Sequence, residues 1–113
     1  AVSALKCGAD IAYVFCTKDA GIPIKSYAPD AIVIPILPNG HELEKSDMQS
    51  ARDKVSAKLE TWIGAIKVFV MGPGLGRCEF VQACTVDIIK RARQAEKPMV
   101  LDGDALWAVT NDP

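Results

Sequence analysis

Four short apolar runs, separated by helical patterns, do most to limit what this chain can fold into. They are Ile11–Cys16, Ala31–Ile36, Ile66–Met71 and Pro98–Leu101. Ile11–Cys16 and Ile66–Met71 are apolar at nearly every position instead of alternating, which suits strands covered on both faces. Pro35 falls inside the second run. Proline has no N–H for a ladder, so that strand belongs at a sheet edge. Between the runs, residues 47–63 place Met48, Ala51, Val55, Leu59 and Trp62 on one helical stripe. Ser46 and Gln49 have the spacing of a capping box. Residues 79–95 repeat the stripe with Phe80, Cys84, Ile88 and Ala92, and end in Lys90, Arg91 and Arg93. Those basic groups suit the negative end of the helix dipole and read as a solvated face. Strand, helix, strand, helix, strand predicts an α/β fold with a mainly parallel sheet and helices on its faces.

Composition excludes several function classes. The chain has 113 residues, 50% apolar and 24% charged, the make-up of an ordinary globular domain. A net charge of -1 gives no electrostatic reason to expect nucleic acid or an anionic membrane as partner. No apolar run approaches the ~18 residues of a membrane span, and no signal-peptide pattern opens the sequence. The chain begins "AVSALKCGAD", as if within a helix, and stops at "VTNDP"; the expectation is a segment of a longer protein. Cys7, Cys16, Cys78 and Cys84 match neither a metal knuckle nor a disulfide framework. They are expected to be small buried residues in a reducing compartment. Cys78 falls where a helix should start, a place that can lower a thiol pKa, but it too reads as structural. His41, in the turn "LPNGHE", is given no role.

Two segments follow strands, where parallel sheets gather their function. In "VFVMGPGLGR", Gly72, Gly74 and Gly76 remove three side chains from a strand-to-helix turn that Pro73 stiffens. The free N–H groups of the next helix favour an anion or a polar carbonyl. The loop lacks the Lys-Ser/Thr of a P-loop and the spacing of a dinucleotide fingerprint. It is either a packing corner or a substrate-facing surface. In "VLDGDALW", Asp102 and Asp104 stand two residues apart, and could hold a hydrated metal ion or a substrate hydroxyl. Asp104 could instead cap the turn Ala105–Ala108; Asp102 is harder to explain as a cap.

Taken in order, "LKCGADIAYVFC", "PIKSYAPDAIVIPIL", "VFVMGPGLGR" and "PMVLDGDALW" resemble the ATP-dependent NAD(P)H-hydrate dehydratases of eukaryotes, in the ribokinase-like superfamily. Gly103-Asp104-Ala105 departs from the Ala-Asp-Gly or Ala-Asp-Ala usual in that family, but both aspartates remain. The resemblance implies that residues 1–113 are part of one three-layer ribokinase-like domain, its N-terminal to central part. It implies repair of NADH-hydrate and NADPH-hydrate with ATP and Mg²⁺: the added hydroxyl is phosphorylated, and phosphate then leaves. Gly74 matches the family's substrate-contacting glycine, with Gly72, Leu75 and Gly76 shaping that surface. Asp102 and Asp104 match the acidic turn of the phosphate and metal region. The catalytic Asp and most of the ATP site are expected downstream of Pro113, so residues 1–113 alone are expected to be inactive. A cytoplasmic or mitochondrial setting, a homo-oligomer and a functional partnership with NAD(P)H-hydrate epimerase are further implications. The competing readings are another ribokinase-like small-molecule kinase and a non-catalytic α/β binding domain.

Overall fold

The computed structural model describes residues 1–39 and 44–111. They belong to two compact units, Ala1–Leu43 and Glu44–Pro113, each described below by itself. His41 lies outside the described residues.

The first unit runs α1 (Val2–Lys6), β1 (Tyr13–Thr17), α2 (Lys18–Tyr27) and β2 (Ile32–Leu37). The two strands pair in parallel, as the strand–helix–strand order requires. Tyr13, Val14 and Phe15 face Ile32, Val33 and Ile34, after which the register slips and Thr17 faces Leu37. Pro35 sits at that slip. A residue without an N–H is tolerated where the ladder is already interrupted.

The helix α2 is absent from the sequence analysis; Gly21 and Pro23 lie inside it, and both residue types disfavour a helix interior. Side-chain hydrogen bonds at both ends support it. Asn39 is buried; its Oδ1 accepts the Asp19 N–H at 3.2 Å, and its Nδ2 donates to Asp19 Oδ1 at 2.8 Å. One of the helix's orphan N–H groups is thus satisfied from beyond β2. At the other end, Lys25 Nζ donates to the carbonyls of Pro29 and Ala31 at 2.7 and 2.9 Å.

In the second unit, a 3₁₀ turn (Lys45–Asp47) leads into α3 (Met48–Ile63), followed by β3 (Phe69–Met71), α4 (Glu79–Gln94), β4 (Met99–Leu101) and α5 (Gly103–Asn111). Strands β3 and β4 are parallel, with Phe69, Val70 and Met71 facing Met99, Val100 and Leu101. Val55, Leu59 and Ile63 of α3 are buried, as are Phe80, Val81 and Cys84 of α4. Burial of side chains as large as Leu59 or Phe80 contributes about 1.5–3 kcal/mol each.

Three sequence expectations are corrected. The strands are not covered on both faces: Val70 and its cross-strand partner Val100 are 66% and 55% exposed, and Val68 is 54% exposed. Phe69 points inward and Val70 outward, as the two-residue period of a strand demands. The capping box does not form, because Ser46 lies in the 3₁₀ turn and α3 starts after Asp47 without a side-chain cap bond. Gln49 Nε2 instead donates to Asp53 Oδ1 at 2.9 Å. Cys16 and Cys84 are buried as expected, but Cys7 and Cys78 are exposed. Among the described residues no helix is long and apolar enough to cross a membrane.

Candidate functional site

Because β3 and β4 run in the same direction, the turns that follow Met71 and Leu101 lie side by side. The Asp102 N–H donates to the Met71 carbonyl at 3.0 Å, carrying the ladder one step past the strands. Beyond it the glycine loop begins with a tight turn. The Leu75 N–H donates to the Gly72 carbonyl at 3.1 Å, with Pro73 second in the turn and Gly74, at φ +67°, third. That is the chemistry of a type II turn: proline presets one dihedral and glycine supplies the left-handed one.

The three glycines have different work. Gly72 has φ +120°, and a Cβ built there would stand 1.6 Å from the Asp102 carbonyl oxygen and 2.9 Å from Ala105 Cβ. The acidic turn therefore packs where a side chain would be, and Gly72 is a corner. Gly74 and Gly76, at φ +67° and +82°, have nothing within 4 Å of a built Cβ. They form an open crown, with Leu75 half-buried between them.

The acidic turn reverses the assignment expected from sequence. Asp102 stands immediately before α5, its Oδ1 accepting the Gly103 N–H at 2.8 Å and its carbonyl accepting the Ala105 N–H at 3.0 Å. It is this aspartate that caps the helix start. The Asp104 carboxylate reaches across to the glycine loop: Oδ2 accepts the Gly76 N–H at 2.8 Å, and Oδ1 lies 3.4 Å from Arg77 Nε. The reversal has a geometric cause. A residue in the first turn of α5 can face the adjoining loop once the strands have paired, and chain spacing does not encode that pairing. Among the described residues, no three of His, Cys, Asp and Glu gather as a metal-ligand set.

Two contributors escaped the sequence reading. Gln82, in the first turn of α4, is buried and donates from Nε2 to the Gly76 carbonyl at 2.5 Å. The ring of Trp107 lies under the Arg77 guanidinium, 5.5 Å from centroid to Cζ, within cation–π range. Gln82 carried one weak signal, a polar residue inside the apolar stretch "FVQAC".

Other charged and nucleophilic groups are engaged elsewhere. Arg52 makes a two-pronged pair with Asp87, both contacts 2.8 Å, which holds its guanidinium pKa above the ordinary arginine value. Arg91 pairs in the same way with Glu60. The basic end of α4 thus carries a paired arginine. Burial pushes the Cys84 thiol up to about 12, with Asp87 adding to the rise and Arg52 opposing it. Burial also raises Cys16. Buried thiols raised in this way are of the structural kind.

Comparison with known proteins bears on this geometry. The profile of the family described as NAD(P)H-hydrate dehydratase matches residues 1–113. The chain is 46% identical over 111 residues to a protein of Vitis vinifera, covering 98% of this chain and 31% of that one. It is 39% identical over 113 residues to one of Danio rerio, covering 100% and 30%. A third, from Schizosaccharomyces pombe, is 38% identical over 112 residues, covering 99% and 33%. Each is named ATP-dependent (S)-NAD(P)H-hydrate dehydratase. The chain spans about a third of the length of these relatives.

Proposed function

Because the chain belongs to the NAD(P)H-hydrate dehydratase family, we propose that the protein carrying it restores hydrated NADH and NADPH by ATP-dependent dehydration. Gly74 and its neighbours then form part of the substrate wall. The observation that carries this reading is the open crown at Gly74 and Gly76, set at the carboxyl end of a parallel strand. Ligands of parallel α/β sheets bind at that end, and bare backbone lets a flat ring approach closely.

The chemistry fits the need for ATP. Hydroxide is a poor leaving group. Transfer of the γ-phosphoryl group to the added hydroxyl gives a phosphate ester and ADP. The C–O bond then breaks with loss of inorganic phosphate and a ring proton, and the double bond returns. Catalysis of such a transfer rests on positioning and charge stabilisation. These residues do not fit a magnesium site by themselves, since Asp104 is engaged with Gly76 and Arg77. Asp102 also has Oδ1 engaged, capping α5, although the residue is exposed; its place near the phosphates rests on the family resemblance. A cytoplasmic or mitochondrial setting, a homo-oligomer and a partnership with NAD(P)H-hydrate epimerase belong to the same reading.

The test adds a side chain without breaking the turn. Asparagine tolerates left-handed φ, so Gly74→Asn should keep the loop and intrude on the crown. In the full-length protein, KM for NADH-hydrate should rise roughly tenfold, about 1.4 kcal/mol, while Tm stays near the wild-type value. Unchanged KM would make the loop a corner only.

A further inference from the structure

Both main-chain polar groups of Gly76 are held by side chains, and the two come from different helices. The N–H donates to Asp104 of α5, and the carbonyl accepts from Gln82 of α4. Gly76 has a left-handed φ and open space where a side chain would be, so packing around its Cα does not explain its conformation. The two side chains do. Asp104 adds a contact to the next residue, Arg77, whose guanidinium is in turn stacked on Trp107 of the same helix.

Gln82 supplies independent support. The residue is 7% exposed, and its Oε1 is buried with no hydrogen-bond partner among the described residues. A carbonyl can be satisfied only by the NH₂ end of the amide, so turning the amide to relieve Oε1 would forfeit the bond to Gly76. An unpaired buried acceptor calls for a reason, and restraint of the loop is one.

We infer that Asp104 and Gln82 are positioning residues that hold the Gly74–Gly76 crown in the shape presented to the hydrated nicotinamide, Asp104 acting through the Gly76 peptide and not as a phosphate or metal ligand. The inference rests on the substrate-wall reading above, and its test separates the two. Hydrogen exchange of peptides spanning residues 72–78 is measured on the full-length protein, beside KM and kcat for NADH-hydrate and Tm. Asp104→Ala should speed exchange of the loop amides roughly tenfold, because local opening follows local and not global stability. KM should rise while Tm changes little. Asp104→Asn keeps an acceptor for the Gly76 N–H and should restore most of both properties. Gln82→Met, similar in length but unable to donate, should behave like Asp104→Ala. Unchanged loop exchange in Asp104→Ala would overturn the clamp. So would loss of kcat in Asp104→Asn as deep as in Asp104→Ala with slow exchange retained, the mark of a carboxylate needed for its charge. Faster exchange with unchanged KM would uphold the clamp and reject the crown as substrate wall.

Discussion

The chain solves the same local problem, leaving a strand for a helix, in two different ways. In the first unit β1 ends at Thr17 and α2 begins at Lys18 with nothing between them. In the second, β3 ends at Met71 and α4 does not begin until Glu79. Residues 72–78 fill the gap, slightly longer than the usual 2–6 residues of such connections. The first junction shows that this chain can make the passage without a loop. Connection alone therefore does not account for the second, nor for its three left-handed glycines. One of them is spent on packing against the acidic turn. The other two expose backbone, which is consistent with a surface kept bare for a ligand.

The sharpest way to break this comparison is to add one methyl group to a glycine in each unit. Gly72→Ala should be the most damaging change: its Cβ would overlap the Asp102 carbonyl at 1.6 Å, at a φ of +120°. Backbone overlap and φ strain together should cost more than about 4 kcal/mol, read as loss of cooperative unfolding or a collapse of the denaturation midpoint. A near wild-type midpoint would mean that the two turns are not packed as described. Gly21→Ala should do the opposite. Its Cβ would meet Pro35 Cβ at 3.6 Å, an ordinary contact, within a helix where alanine is preferred by about 0.5–1 kcal/mol. A slightly raised midpoint is expected, and a clear loss would show that α2 lies tighter on β2 than the geometry allows.

The smallest effect concerns the paired helices of the second unit. The hydrogen bond from Arg91 holds the Glu60 carboxyl below its ordinary 4.5, with a smaller charge contribution from the same arginine. A carboxylate whose pKa is lowered on folding stabilises above its unfolded pKa, and loses that contribution as pH falls through the folded value. The pair is exposed, so the effect should be slight and screened by salt. Urea midpoints of wild type and Glu60→Gln, compared at pH 7 and pH 3, should differ more at the higher pH. An equal difference at both would assign the change to packing.

What was legible in the residues follows the range of the interactions. The four strand positions came from short apolar runs and the two long helices from periodicity, signals that each segment carries within itself. The boundaries moved by a few residues; β3 shrank to Phe69–Met71 because pairing with β4, not apolarity, decides where a ladder runs. The helix α2 was hidden, since Gly21 and Pro23 argue against it locally while Asn39, twenty residues beyond Asp19, supports it. Gly74 was readable as a turn residue because Pro73 stands before it, a rule that operates over four residues.

The sequence by itself determined the four strands, the two long helices, the Pro-Gly turn and the family, because these rest on local chemistry or on strings of matching residues. Tertiary structure alone decided which glycine is a corner and which are open, and which aspartate caps and which reaches outward. Gly72 meets Asp102, and Gly76 meets Asp104, across about thirty residues of chain. Those meetings exist only once β3 and β4 have paired in parallel and brought their carboxyl ends together. Local propensity contains no term for the partner strand, whereas the pairing fixes which backbone groups and side chains come within hydrogen-bond reach.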